Sequence, residues 1–116
     1  MKIIFEKAGP ILVVLLNGRL DATCHQEIRE VVGREIEIVG VKGVVFDLSG
    51  LEYVSSAGFR EFFLLGRQLQ REGGGLAVCE LQPAVKQIFD IAQFQTAYPV
   101  CVTRDEALVA IGSSVA

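Results

Sequence analysis

Along this chain the apolar and polar positions fall into short blocks whose periods can be read one by one. Lys2 to Lys7 and Ile11 to Asn17 are apolar, β-branched runs separated by Gly9-Pro10. That pattern predicts an antiparallel hairpin turning at Pro10. The second run lacks the alternation of a half-wet strand, so both of its faces are expected to be covered. A helical pattern follows from Ala22 to Val39. Ile28, Val31, Val32, Ile36 and Val39 recur at helical spacing, and Glu27, Arg29, Glu30, Arg34 and Glu37 take the other side. Asp21 stands where a cap is expected and Gly40 where a stop is expected.

Gly43 to Leu48 is a short apolar run of the kind that forms a central parallel strand. Ser49 to Val54 reads as a loop with a turn at Ser49-Gly50. Ser55 or Ser56 caps a second helix reaching Glu72, with Phe59, Phe62, Phe63, Gly66 and Leu69 on one stripe. Gly73-Gly74-Gly75 ends it. Leu76 to Cys79 is another strand. Pro83 opens a third helix whose apolar face is Val85, Ile88, Phe89 and Ala92. Tyr98 to Val102 is a last strand, and Thr103 caps a helix from Arg104 to Ile111. The order ββαβαβαβα implies an α/β fold with a mainly parallel sheet, helices packed on it and right-handed crossovers. No linker or internal repeat breaks the chain, so one domain over residues 1–116 is expected.

Composition narrows the function. Apolar residues make up 51% and charged residues 22%, the balance of a globular protein. At a net charge of −3 the chain lacks the basic footprint of a nucleic-acid binder, and nothing supports membrane-surface binding. The longest apolar run, Ile11 to Leu16, falls far short of the ~20 residues that span a bilayer, so no membrane insertion is expected. With no long apolar stretch or small-residue cleavage site in the N-terminal residues, no signal peptide is expected. The three cysteines, Cys24, Cys79 and Cys101, are odd in number and form no CxxC pair, which points to a reducing cytoplasm. Cys24-His25 looks like a ligand pair, but no second pair completes a metal site.

Catalysis finds little to work with. Gly73-Gly74-Gly75 is followed by neither Lys-Ser/Thr nor a helix, so it is no phosphate loop. His25 is the only histidine, and nothing in the sequence sets it beside a nucleophile. Asp21 and Asp47 lie near strand ends without an evident titratable partner. Neither an enzyme nor a bound cofactor is expected. What remains is Leu51-Glu-Tyr-Val-Ser-Ser-Ala-Gly-Phe59, two serines and two small residues where a loop meets a helix. Serine caps such a start. The cluster Ser55-Ser56-Ala57-Gly58 also leaves the backbone open to close approach by another molecule.

The segment Asp47-Leu-Ser-Gly-Leu-Glu-Tyr-Val-Ser-Ser-Ala-Gly-Phe59 resembles the signature of the STAS domain, the anti-sigma factor antagonist family. Asn17-Gly-Arg-Leu-Asp21 and Gly74 to Asp90 resemble the family's flanking elements in the same order. The resemblance implies a STAS-like fold: a four- to five-stranded mixed, mainly parallel sheet with an N-terminal hairpin and about four helices. It also implies a partner switch. An unphosphorylated antagonist binds an anti-sigma factor that is itself a GHKL-type serine kinase, and the sigma factor is freed. Phosphorylation of one serine releases the antagonist, and a PP2C-type phosphatase resets it. Matched position by position, that serine is Ser56. The family's preceding Asp is Ser55 here, which leaves Ser55 as an alternative acceptor, and its Leu after the Gly is Phe59. The expected docking face is Ser55, Ser56, Ala57, Gly58 and Phe59 with Arg60 and Glu61 at the exposed start of the helix, Asp21 beside it and Arg19 at the rim. An alternative within the family is a subunit of an ABC-type lipid transporter that binds its ATPase.

Overall fold

The all-apolar run after Pro10 becomes the backbone of the architecture. In the computed structural model, which describes residues 1–115 and the side chains of residues 1–112, β1 (Lys2–Ala8) and β2 (Ile11–Leu20) form the antiparallel hairpin. Then follow α1 (His25–Val39), β3 (Gly43–Asp47), β4 (Leu51–Val54), α2 (Ser56–Arg71), β5 (Gly75–Cys79) and α3 (Pro83–Ile91). A short 3-10 turn at Phe94–Thr96, β6 (Val100–Cys101) and α4 (Arg104–Val115) complete the described residues. The sheet runs β1-β2-β3-β5-β6, with every pairing after the hairpin parallel.

β2 is buried on both sides because the sheet is covered on both sides. Leu12, Val14 and Leu16 pack with Val44, Phe46, Leu76 and Val78 under α1, α2 and α3. The alternate residues Ile11 and Val13 join Val45, Ala77 and Cys79 beneath Ala107 and Ile111 of α4. The two-residue period of a strand sends neighbours to opposite cores.

The sheet has six strands rather than the expected four or five, because Ser49 to Val54 is not all loop. After the Ser49-Gly50 turn the chain returns to the edge of β2 that β3 has just left. β3 pairs with Ile11–Leu15, and β4 pairs with Gly18–Leu20 across a register shift at Gly18/Arg19. Leu51 and Val54 are buried while Glu52 and Tyr53 face outward, so four residues carry too short a pattern to read. The last strand is shorter than expected: Tyr98 belongs to the core, 6% exposed, with its ring 5.2 Å from that of Phe94. Gly73, at φ 82°, ends α2 as expected, and the Gly74 N–H closes onto the Leu69 carbonyl at 2.8 Å.

Candidate functional site

The end of β2 and the start of α2 are stitched together. The Ser55 N–H donates to the Leu20 carbonyl at 2.8 Å, bringing the Arg19–Asp21 segment beside the serine cluster. Ser55 has extended backbone, φ −82° and ψ 168°, and its Oγ accepts the Gly58 N–H at 3.1 Å. Of the two serines, Ser55 is therefore the cap, its oxygen satisfying one of the helix's orphan donors. Ser56, the first helical residue, is exposed. Gly58 is needed for contact: a Cβ there would lie 2.6 Å from Leu20 Cγ and 2.9 Å from the Leu20 carbonyl oxygen.

Asp21 does not cap α1. Its Oδ1 accepts from the Thr23 N–H at 3.0 Å and the Thr23 hydroxyl at 2.6 Å, forming a turn that delays the helix to His25. The Thr23 hydroxyl and N–H hold the Asp21 carboxyl below its ordinary range. Arg19 is exposed, with its guanidinium 4.4 Å above the ring of Tyr53. Tyr53, 37% exposed on β4, thus joins the rim; its strand was hidden in an apparent loop.

Two expected docking residues face inward instead. Phe59 is half-buried, its ring 4.8 Å from Phe89 and 5.3 Å from Phe63, because α3 and the 3-10 turn bring aromatics over α2. Glu61, placed by the sequence reading on an exposed helix start, is only 3% exposed. Its Oε1 lies 3.2 Å from His25 Nδ1 and its Oε2 lies 3.3 Å from Arg29 Nε. α1 packs on this side of α2 and covers it. Arg60, one residue earlier, remains exposed. His25, Arg29, Ala57, Arg60, Glu61 and Leu64 line an open cavity of about 300 Å³.

Asp47 does have a charged partner, one that lies 57 residues away. Arg104 Nε and Nη2 donate to its Oδ2 at 3.1 and 2.8 Å, and the Ser49 N–H donates to its Oδ1 at 3.0 Å. Burial raises the Asp47 carboxyl, but the Ser49 N–H and Arg104 together bring it below its ordinary range. This pair holds α4 against the sheet and fixes the turn leading to β4. Burial pushes the Cys79 thiol up to about 12, the setting of an inert apolar residue. Among the described residues no group of three or more His, Cys, Asp or Glu side chains could hold a metal ion. Among the same residues no helix is long and apolar enough to cross a membrane.

The assembled site is thus an exposed serine on the first turn of a helix, flanked by Arg19, Tyr53, Asp21 and Arg60. The family model for the STAS domain matches residues 2–107. The chain belongs to the STAS domain family. BtrV of Bordetella bronchiseptica, named as an anti-sigma factor antagonist, is 33% identical over 110 residues, covering 95% of this chain and 94% of that one. Among solved structures, an anti-sigma factor antagonist from Mycobacterium paratuberculosis superposes with a TM-score of 0.85 at 22% identity, covering 96% of this STAS chain and 93% of that one. The Bacillus cell fate determinant SpoIIAA in its phosphorylated form gives 0.71 at 19% identity, covering 95% and 99%. At these identities the two structures speak for the fold.

Proposed function

We propose that this STAS protein is an anti-sigma factor antagonist, the whole chain acting as one cytoplasmic, non-catalytic binding domain. With Ser56 unmodified it binds an anti-sigma factor that is also an ATP-dependent serine kinase, and the sigma factor is freed. When Ser56 carries a phosphoryl group it lets go. The observation that carries this reading is the division of labour between two adjacent serines: Ser55 is engaged as the cap, and Ser56 is exposed beside it. The names of BtrV and of an anti-sigma F factor antagonist from Paenibacillus polymyxa, 26% identical over 102 residues, point the same way.

The transfer itself asks little of this chain. The Ser56 Oγ attacks the γ-phosphorus of ATP held by the kinase. An O–P bond forms, the bond from that phosphorus to the β–γ bridging oxygen breaks, and ADP leaves. The serine proton passes to a base on the kinase. A PP2C-type phosphatase reverses the state by hydrolysis, returning the hydroxyl and inorganic phosphate. The added group brings about −1.5 to −2 charge to the middle of the docking face. Arg19, Tyr53, Asp21, Ala57 and Arg60 surround it, and burying that charge against a partner is costly.

The test is capture from the host lysate on wild-type, Ser56→Ala and Ser56→Asp proteins, with identification by mass. A serine kinase retained by wild type and Ser56→Ala but not by Ser56→Asp is the expected result. Equal retention of the kinase on Ser56→Asp, or capture of a transporter ATPase by all three, would sink the reading.

A further inference from the structure

The cavity lined by Ala57 and Arg60, one and four positions after Ser56 on α2, carries a surplus of positive charge. Its one carboxylate, Glu61, lies on the floor, 3% exposed, and is already faced by His25 at 3.2 Å and Arg29 at 3.3 Å. Arg60 stands on the rim, exposed, and among the described residues no carboxylate pairs with it. Arg60 follows Ser56 by four positions on α2. Residues at that spacing share a helix face with Cβ atoms about 5–6 Å apart. Helical side chains lean toward the N-terminus, so the Arg60 stem is directed back over the turn that holds Ser56. A guanidinium on such a stem matches a phosphate's oxygens with paired donors. The adjacent acid, Glu61, lines the same cavity as Arg60 but is held by His25 and Arg29 of α1.

We propose that Arg60 is the intramolecular receiver of the phosphoryl group on Ser56, closing a bridge along the first turn of α2 and withdrawing Arg60 from the docking face. This rests on the reading of Ser56 as the acceptor. No bond is made or broken in the step: an ion pair forms within the already phosphorylated chain. Phosphorylation then changes the docking face twice. It adds an anion at Ser56, and it takes away the cation that an acidic partner surface would meet at position 60.

The test uses the full chain with phosphoserine incorporated at position 56, observed by phosphorus NMR through a pH titration. Phosphoserine's second ionisation lies at about 6, and a guanidinium in contact lowers it by favouring the dianion. The wild-type phosphoprotein should titrate lower than the Arg60→Gln phosphoprotein by about half a unit or more. Arg67→Gln is the control, because Arg67 is exposed on the same helix seven residues further from Ser56 than Arg60 is. At about 1.5 Å per residue it lies beyond the screening length, so its phosphate should titrate as in wild type. Equal titration of wild type and Arg60→Gln, or an equal shift in Arg67→Gln, would overturn the bridge. Arg60 is exposed, so its variant keeps the fold, which thermal melting checks. If the bridge is seen and yet phosphorylation leaves kinase binding unchanged, the bridge stands and the release reading falls.

Discussion

Two neighbouring hydroxyls in this chain have different chemistry, and one backbone angle separates them. The extended ψ of 168° at Ser55 turns its oxygen toward the Gly58 N–H, while Ser56 enters the helix and points to solvent. Ser55→Ala should therefore lower stability by about 1 kcal/mol in urea unfolding. It should leave phosphate incorporation at Ser56 intact, and Ser56→Ala should do the reverse. If Ser55→Ala abolishes incorporation while Ser56→Ala does not, the assignment of the acceptor is wrong. Gly58 is the tightest point of the site. Gly58→Ala sets a methyl against Leu20 at 2.6 Å and should cost about 1–3 kcal/mol, since neither β2 nor α2 can give way alone. A melt unchanged from wild type would show that the junction is looser than these contacts imply. The serine cluster and the glycine were legible from residue type. Which serine caps was not, because both satisfy the same spacing rule.

At the scale of elements, charged pairs join pieces that lie far apart in the chain. Glu61 on α2 holds His25 and Arg29 on α1. Glu61→Ala should cost about 1–3 kcal/mol, through loss of the hydrogen bond to His25, the ion pair with Arg29 and buried volume. Hydrogen exchange should show the loss first in α1; protection lost uniformly across the sheet would argue against a local tie. Arg104 joins α4 to Asp47 in the same way. The Asp47 carboxyl titrates lower in the folded chain than its ordinary 3.8, so its contribution is full above that value and disappears as pH falls through the lowered one. Arg104→Gln removes part of that lowering. It should destabilise the protein at pH 7, move the acid-unfolding midpoint upward, and match wild type once the carboxylates are protonated. Parallel acid-unfolding curves separated by a constant gap would refute this linkage. Neither pair was readable from the chain. The i, i+4 spacing of His25 and Arg29 marks a shared helix face, but nothing in it names an acid 32 residues beyond Arg29.

At the scale of the whole molecule, the site sits at one end of a sheet covered on both faces. Its components reach across β2, β4 and α2, so a charge added at Ser56 lies outside both cores. Such a charge also meets the free N–H groups and positive end of α2. Ser56→Asp should therefore melt within about 0.5 kcal/mol of wild type while losing its partner. A Ser56→Asp protein that is unfolded, rather than folded and unable to bind, would show that modification acts through stability instead of at the interface.

The chain by itself determined the hairpin, the fully covered second strand, the stops at Gly40 and Gly73 and the serine-rich helix start. Each of these follows from local pattern: uninterrupted apolar β-branched residues, glycine where φ turns positive, hydroxyls before a helix. Tertiary structure alone decided the short fourth strand, which exists because β2 is long enough to pair twice along one edge. It also decided that Glu61 and Phe59 turn inward, because α1 and α3 happen to cover those sides of α2, leaving Ser56 and Arg60 outside. A helix pattern shows which residues share a face. Which faces meet is settled by the packing of elements distant in sequence, and that packing separates the residues that hold this domain together from those free to meet a partner.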